Sequence, residues 1–149
     1  MTMYPLARLP LDKYPCQRDL SLVFGDIDTV GHVNNVAIAR LFEEARVHLY
    51  RMVDSYLSEK RPMRMVLAHV EIDYAAEVSY PGEVQLGIGV HEIGRTSVRQ
   101  GAALFQGDRC VAVSRSVDVN TIEGQAGAAG LSEDYRLALH KCLLPQIQL

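Results

Sequence analysis

The segment from Asn35 to Ser58 constrains the fold of this chain most, because its apolar residues recur at helical spacing. Intervals of mostly three and four residues place these side chains on one face of an α-helix. That face comprises Ile38, Leu41, Phe42, Ala45, Leu49, Met52, Val53 and Tyr56. A helix of this length measures roughly 35 Å at 1.5 Å per residue. Its apolar face therefore needs a wide sheet to cover it.

Four segments of alternating apolar and polar residues follow the helix and supply such a sheet. They span about residues 66–74, 84–90, 98–104 and 111–120. Turns at Pro81-Gly82, Gly94-Arg95 and Gly107-Asp108 separate them, and this hairpin spacing predicts antiparallel pairing. A further strand, Arg18 to Phe24, precedes the helix. One long helix on a curled antiparallel sheet of about five strands is an α+β architecture.

The remaining residues form an arm at one end of the chain and a short helix at the other. Residues 1–17 contain three prolines and no apolar period, which predicts an arm over the surface or across a partner subunit. A short helix is expected over about residues 132–142, with Ser132 as its N-cap. The chain has 149 residues, of which 48% are hydrophobic, so we expect one domain over 1–149 with its core at about 18–121.

Charge and cysteine content argue against several classes of function. The net charge is −3 and no long basic block occurs, which argues against a nucleic-acid partner. No apolar run approaches the roughly 20 residues that span a bilayer, and residues 1–17 lack the apolar stretch of a signal peptide. Cys16, Cys110 and Cys142 lack the spacing of a zinc site or a disulfide framework. Free thiols are typical of a reducing compartment, so we expect a cytoplasmic protein without a membrane or metal partner.

A polar cluster between the first strand and the long helix is the candidate functional site. It runs from Phe24 to Asn35 and contains two acids, a histidine and two asparagines. Asn34 or Asn35 can cap the helix by accepting a hydrogen bond from an unpaired backbone N–H. The N–H groups and positive partial charge of a helix N-terminus would stabilise an oxygen that gains negative charge. A carboxylate beside such donors is suited to attack on a carbonyl.

The residue pattern alone leaves several roles in this cluster open. Asp26 and Asp28 are two residues apart, and their spacing does not decide which one acts on a substrate. Gly31 would let the backbone approach a carbonyl, so the N–H groups from Gly31 to Val33 are candidate donors. His32 either orients the carbonyl, polarises a water with the acid, or bonds the loop backbone.

These motifs resemble the hotdog-fold acyl-CoA thioesterases, most closely the 4-hydroxybenzoyl-CoA thioesterase-like branch. The resemblance covers about residues 18–121. Its motifs are Gly25-Asp26-Ile27-Asp28, Gly31-His32-Val33-Asn34-Asn35, Phe42-Glu43-Glu44-Ala45-Arg46, Ile72-Asp73-Tyr74, Pro81-Gly82-Glu83-Val84 and Ile93-Gly94-Arg95-Thr96-Ser97. The resemblance implies a sheet wrapped around a central helix, subunits paired edge to edge, and a thioester bound at the subunit interface. We therefore expect a homodimer, which can pair again into a dimer of dimers.

The resemblance also implies the roles of individual residues. The second acid of the first motif is the catalytic carboxylate of that branch, which here is Asp28, with His32 beside it. Substrate-binding positions are then implied at Gly31, Val33, Asn34 and Asn35, with coenzyme A contacts at Arg95 and Ser97. Asp26 is expected to be structural, bonded to the turn backbone. Ile38 stands where relatives often have tyrosine, which alters the acyl pocket.

The implied reaction is hydrolysis of an acyl or aroyl thioester to a carboxylic acid and a free thiol. Asp28 would act as general base or as nucleophile, with coenzyme A as part of the substrate and no metal or redox cofactor. Some hotdog thioesterases carry the catalytic acid on the helix, so Glu43 or Glu44 is an alternative to Asp28. The other interpretation is that both glutamates form ion pairs along the helix. Two other functions stay open: a non-catalytic protein that binds acyl thioesters, and a hotdog dehydratase.

Overall fold

One long helix and a five-stranded antiparallel sheet make up most of the computed structural model, which describes residues 5–59 and 64–146. The elements are β1 (Cys16–Ser21), α1 (Asn35–Ser55), β2 (Arg64–Tyr74), β3 (Glu83–Ile93), β4 (Ser97–Gln106), β5 (Arg109–Thr121) and α2 (Glu133–His140). The strand order is β1-β3-β4-β5-β2, and every neighbouring pair is antiparallel. The sheet is curled but not closed around α1, which confirms the predicted α+β hotdog fold.

The element boundaries differ from the sequence prediction in small ways. The first strand begins at Cys16, so the end of the expected arm belongs to the sheet. This strand ends at Ser21 because the chain turns into a short 3-10 helix, Phe24–Asp26. The long helix ends at Ser55, three residues early, and the final helix covers Glu133–His140 rather than 132–142. The segment 60–64 contains one lysine and two arginines, and its residues 60–63 lie outside the described residues.

The main core lies between α1 and the inner face of the sheet, which is the face turned toward that helix. The helix buries Ala37, Ile38, Leu41, Phe42, Ala45, Leu49 and Val53. The sheet contributes Val84, Leu86, Ile88, Val90, Val98, Ala102 and Leu104. Most of the predicted apolar face is therefore buried, although Tyr56 at its end is exposed. Burying side chains of this size is the main stabilising contribution available to a domain.

A buried polar network interrupts the core beneath the C-terminal half of α1. Tyr50 donates a hydrogen bond from its hydroxyl to Asp118 Oδ2 over 2.7 Å. Gln100 Nε2 donates to the same carboxylate oxygen over 3.0 Å, and Ser116 donates to Gln100 Oε1 over 3.2 Å. Burial and the neighbouring Asp118 carboxylate raise the pKa of Tyr50 far above its usual value. These bonds show that Gln100, Ser116 and Asp118 lie on the inner face.

The N-terminal arm covers part of the outer face of the sheet, within its own subunit. Leu6 and Tyr14 are buried there with Phe105, Val113 and Leu144 in a second apolar cluster. The Tyr14 hydroxyl donates to the backbone oxygen of Leu6 over 2.8 Å, which ties the two ends of the arm together. The arm reaches the sheet closely because glycines lie beneath it. These are Gly87 under Tyr14, Gly89 under Pro15 and Leu144, and Gly101 under Leu6 and Leu144.

Replacing Gly87 by alanine should loosen the arm. A Cβ at this position would lie 2.6 Å from Tyr14 Cδ2 and 2.8 Å from Tyr14 Cβ, so the ring has to move. We expect Gly87→Ala to lower the free energy of unfolding by about 1–3 kcal/mol, as overpacking does elsewhere. Urea titration measures this. Gly130→Ala is the matched control, since the nearest atom to its Cβ is 4.0 Å away, and an equal loss in both variants would refute the explanation.

Candidate functional site

Asp26 holds the loop that leads into α1. Its carboxylate is buried, accepts a hydrogen bond from the backbone N–H of Val23 over 2.9 Å, and pairs with the Arg40 guanidinium over 3.0 Å. Its backbone oxygen accepts the N–H of Asn34 over 2.8 Å. The residue therefore links the end of the β1 segment, the helix start and the first turns of α1. This is the structural role that the sequence predicted for Asp26.

Asp28 lies in the next turn and is exposed. Its Oδ1 accepts the backbone N–H groups of Val30 over 2.9 Å and His32 over 3.2 Å. The backbone N–H of Asp28 donates to the carbonyl of His32 over 2.9 Å, which closes the turn. The other carboxylate oxygen, Oδ2, accepts no hydrogen bond within residues 5–59 and 64–146. One oxygen thus orients the carboxylate, and the other is available for chemistry.

Asn34 caps α1, and this leaves backbone donors free at the helix start. Its side-chain Oδ1 accepts the N–H of Ala37 over 2.7 Å, and its carbonyl accepts the N–H of Ile38. The N–H groups of Asn35 and Val36 donate to no other residue in the described part of the chain. Helix N-termini leave such groups unpaired, and the helix dipole adds positive potential. Asn35 and Val36 are therefore the available donors for an oxyanion.

The N–H groups from Gly31 to Val33, which the sequence favoured as donors, are already engaged. Gly31 donates to the Asp28 carbonyl over 3.1 Å, and His32 donates to the Asp28 carboxylate. Val33 donates to the carbonyl of Val78 over 3.1 Å. That part of the prediction is wrong, because a turn and a pairing with the β2–β3 connection use these groups. Gly31 has a φ of 91°, a backbone conformation that favours glycine.

A pocket of about 350 Å³ opens beside Asp28. Its lining combines predicted residues (Asp28, His32, Val33, Asn35 and Ile38) with the end of β2 and the connection that follows it (Tyr74 to Val78). His32 Nε2 lies 3.1 Å from Glu77 Oε2, and the Tyr74 hydroxyl lies 3.4 Å from the backbone oxygen of Asn35. Tyr74 belongs to the Ile72-Asp73-Tyr74 motif, but neither this motif nor any other sequence pattern links Tyr74 or Glu77 to the site.

Arg95 and Ser97 lie at the opposite end of the sheet within one subunit. Tyr74 lines the pocket, and the strand register places it level with Leu86 near the start of β3, whereas Arg95 follows the end of β3 at Ile93. The nine residues from Leu86 to Arg95 correspond to roughly 30 Å of strand. One chain therefore does not bring these two residues to the site that contains Asp28.

Other candidates from the sequence have structural partners or stay predictions. Glu44 pairs with Arg40 on the surface of α1, as expected for an ion pair along the helix. Among residues 5–59 and 64–146, no group of three or more histidine, cysteine or acidic side chains could hold a metal. The prediction that the reaction uses no metal stays a prediction. None of the helices in these ranges has both the length and the apolar content to cross a membrane.

Comparison with known proteins identifies the family. The thioesterase-like superfamily matches residues 22–139, which include Asp28, the whole of α1 and all but the first strand. The chain belongs to this superfamily. The resemblance to hotdog-fold thioesterases is thereby confirmed. No curated protein matches the chain.

Solved structures share the fold over nearly the whole chain. A Pseudomonas aeruginosa PAO1 protein is 25% identical, with a TM-score of 0.79, and 91% of this chain covers 96% of it. A predicted thioesterase from Bacillus stearothermophilus is 28% identical, with a TM-score of 0.78 and coverage of 87% and 98%. A thioesterase from Thermus thermophilus, solved with coenzyme A and zinc, is 24% identical, with a TM-score of 0.75 and coverage of 87% and 94%. At 24% identity, the likeness to the Thermus structure shows only that the two chains share a fold.

The two neighbouring asparagines should differ in their effect on stability. Asn34→Ala removes the cap on Ala37, so we expect the free energy of unfolding to fall by about 1 kcal/mol. Asn35→Ala is the control and should change it by less than about 0.5 kcal/mol, as exposed substitutions usually do. Urea denaturation followed by circular dichroism measures both. A larger loss for Asn35→Ala would show that the cap has been assigned to the wrong residue.

Proposed function

We propose that this protein hydrolyses acyl or aroyl thioesters and that Asp28 is its catalytic acid. The observation that supports this most directly is the geometry of the Asp28 carboxylate. Two backbone N–H groups fix Oδ1, Oδ2 accepts no hydrogen bond in residues 5–59 and 64–146, and Asp28 lines the pocket at the start of α1. Membership of the thioesterase-like superfamily supports the same reaction class.

In the general-base form of the reaction, Asp28 Oδ2 takes a proton from a water molecule. The water oxygen attacks the thioester carbonyl, and the resulting oxyanion accepts hydrogen bonds from the N–H groups of Asn35 and Val36. The intermediate collapses, the C–S bond breaks, and the thiolate leaves and takes up a proton. His32 lines the same pocket and is held by Glu77, which suits it to orient the water or the carbonyl.

In the nucleophilic form, Asp28 Oδ2 attacks the carbonyl itself. The C–S bond breaks, the thiolate leaves, and a mixed anhydride joins the acyl group to Asp28. Water then cleaves the anhydride to give the carboxylic acid and restore the carboxylate. Both forms use the same residues and need no metal or redox cofactor. Three free cysteines are consistent with the reducing cytoplasm that we propose for this activity.

We also propose that the enzyme is a homodimer joined through β2. This strand has eleven residues and lies at an edge of the sheet, and in the part of the chain that the structure describes one of its sides is unpaired. The other edge strand, β1, has six residues with charged side chains at Arg18 and Asp19, which discourages pairing. A long edge with exposed apolar side chains favours a second copy.

Charges at the two ends of β2 suit antiparallel pairing with a copy of itself. The register with β5 places Arg64 opposite Thr121 and Asp73 opposite Val113, both on the outer face. A two-fold axis near the middle of the strand would bring Arg64 of the partner subunit close to Asp73. Opposite charges across neighbouring strands stabilise such a pair by a modest amount.

The same dimer would bring a second part of the predicted site closer. The start of β2 and the turn between β3 and β4 lie at one end of the sheet. Antiparallel pairing would set that end of the partner beside Tyr74, about three strand spacings or roughly 14 Å away. Arg95 and Ser97 of the partner subunit could then contact the thiol part of the substrate. Because the Thermus neighbour holds coenzyme A, coenzyme A thioesters are the first substrates to test.

Replacing the two acids separately tests the proposed chemistry. Asp28→Asn keeps the shape of the side chain but loses the base, so thiol release from acyl-CoA should fall by about 100-fold or more with the fold unchanged. Asp26→Asn removes the buried partner of Arg40, so it should lower stability more than Asp28→Asn does. Thiol release and urea unfolding measure the two effects.

The outcomes separate the proposed function from its alternatives. Equal turnover by wild type and Asp28→Asn would contradict the assignment and move attention to Glu43, Glu44 or His32. Binding of acyl thioesters by a wild-type protein that releases no thiol, including from a carrier-protein thioester, would favour the non-catalytic function. Loss of the acyl-CoA substrate without thiol release would indicate a dehydratase.

A charge on the middle of β2 should separate the dimer. Val70 is 40% exposed and lies near the centre of the strand, so Val70→Asp would place two carboxylates close to the two-fold axis. We expect light scattering after gel filtration to give the mass of a monomer for this variant and of a dimer for wild type. Val47→Asp is the matched control, since Val47 is 44% exposed on α1, away from that edge. Dissociation of both variants, or of neither, would contradict pairing through β2.

A further inference from the structure

We infer that Leu67 of each subunit forms part of the acyl pocket of the opposite subunit and limits how far the acyl chain can extend. This inference rests on the proposed thioesterase function and on the β2 dimer. It names a specificity-determining residue and a class of acyl group, which neither the family nor the site in one subunit provides.

The register between β2 and β5 fixes the direction of the β2 side chains. Leu67 pairs with Asp118, which binds Tyr50 of α1, so Leu67 lies on the inner face. A bulge after Leu67 shifts the alternation by one residue. The inner row of β2 is therefore Met65, Leu67, Val70, Ile72 and Tyr74, and every member of it is apolar or aromatic.

This inner row is apolar but incompletely covered by its own subunit. Leu67 is 43% exposed, Val70 40% and Tyr74 43%, although all three face the side where α1 lies. Helix α1 packs against β1, β3 and β4, whereas β2 lies at the far edge of the sheet, beyond β5. Exposed apolar side chains in one row mark a surface that a partner or a ligand covers.

Tyr74 connects this row to the catalytic pocket. Tyr74 lines the same pocket as Asp28, and its hydroxyl lies 3.4 Å from the backbone oxygen of Asn35 at the helix start. An acyl carbonyl bound at Asn35 and Val36 would therefore have the inner row of β2 beside it. The apolar row offers the acyl group a continuous surface that leads away from Asp28.

Pairing with a second copy would complete this surface. Antiparallel pairing that sets Arg64 of the partner subunit opposite Asp73 also sets Leu67 of the partner subunit opposite Val70, and both of these side chains lie on the inner face. That position is four residues, or roughly 13 Å, from Tyr74 along the strand. The two α1 helices would flank a seam whose floor is the inner rows of both β2 strands.

The chemistry of this seam selects an apolar acyl group, aliphatic or aryl, over one with charge along its length. Burial of each further methylene group favours binding until the chain meets Leu67 of the partner subunit. A larger side chain at position 67 should shorten the accepted chain, and a smaller one should lengthen it. A hydrophobic pocket discriminates by about 10- to 200-fold for such size differences.

The test compares Leu67→Trp and Leu67→Ala with Val66→Trp as the matched control. Val66 is 42% exposed and adjacent on the same strand, but it pairs with Val119 on the outer face. Thiol release is measured with coenzyme A esters from acetyl to dodecanoyl and with benzoyl-CoA, on variants shown by light scattering to be dimers. We expect Leu67→Trp to lower kcat/KM for the longest accepted chain by about 10-fold or more, with acetyl-CoA little changed. Leu67→Ala should shift the preference to longer chains, and Val66→Trp should leave the profile as in wild type.

Mixed dimers test whether Leu67 acts across the interface. Asp28→Asn protein is refolded or co-expressed with Leu67→Trp protein, so that each mixed dimer has one site with both wild-type Asp28 and a wild-type Leu67 opposite. Long-chain turnover should recover to about a quarter of wild type in a random two-subunit mixture. No recovery, while the Leu67→Trp homodimer is impaired, would place Leu67 in its own subunit's site and overturn the inference.

Failure of this inference and failure of the proposed function give different results. If wild type hydrolyses thioesters but Leu67→Trp and Val66→Trp have equal profiles, the inference is wrong and the function stands. If wild type hydrolyses none, calorimetric binding of the same acyl-CoA series replaces turnover. A shift of chain-length preference in Leu67→Trp alone would then support the seam without the hydrolase, and no binding of any ester would overturn both.

Discussion

The buried carboxylate of Asp26 is the interaction on which the site depends. The carboxylate accepts hydrogen bonds from the backbone N–H of Val23 and the guanidinium of Arg40, and the backbone carbonyl of Asp26 accepts the N–H of Asn34. These three points fix where the loop leaves the sheet and where α1 begins. A buried charge is stable only when it is paired and hydrogen-bonded, so this arrangement tolerates little movement. The exposed turn that holds Asp28 is therefore built on a rigid base, which suits the catalytic role that we propose for this carboxylate.

The two edge strands of the sheet, β1 and β2, differ in length and in the polarity of their side chains. Strand β1 is short and charged, and it pairs with residues 83–88 of β3. Further along β3, Val90 forms a bridge with Leu143 of the C-terminal segment. Strand β2 is long, and the side chains on its inner face are apolar or aromatic up to Tyr74, its last residue, which lines the pocket. In the dimer that we propose, the site at this edge would take one wall from its own subunit and the other from the partner. Catalysis and assembly would then depend on the same strand, so a change in one would alter the other.

Local sequence patterns predicted the helix, the strands and the position of Asp28, because spacing and motif are properties of neighbouring residues. They did not place Tyr74 and Glu77 at the pocket, which these residues line from the end of β2 and from the connection after it, far along the chain from Asp28. They also misjudged the donors from Gly31 to Val33, since the partner of Val33 is the distant carbonyl of Val78. Alternation in β5 does not reveal that its serines and Asp118 face the helix, because the outer face is also partly buried, beneath the arm.

The glycines beneath the arm have a consequence for how the chain folds. Leu6 and Tyr14 contact a surface that exists only after β3, β4 and β5 have paired. The arm therefore has no partner surface until β5 is in place, and contacts between residues so far apart in sequence form late. Until the arm docks, the apolar outer face of the sheet around these glycines stays exposed to solvent. The longer docking takes, the longer this surface is available for aggregation.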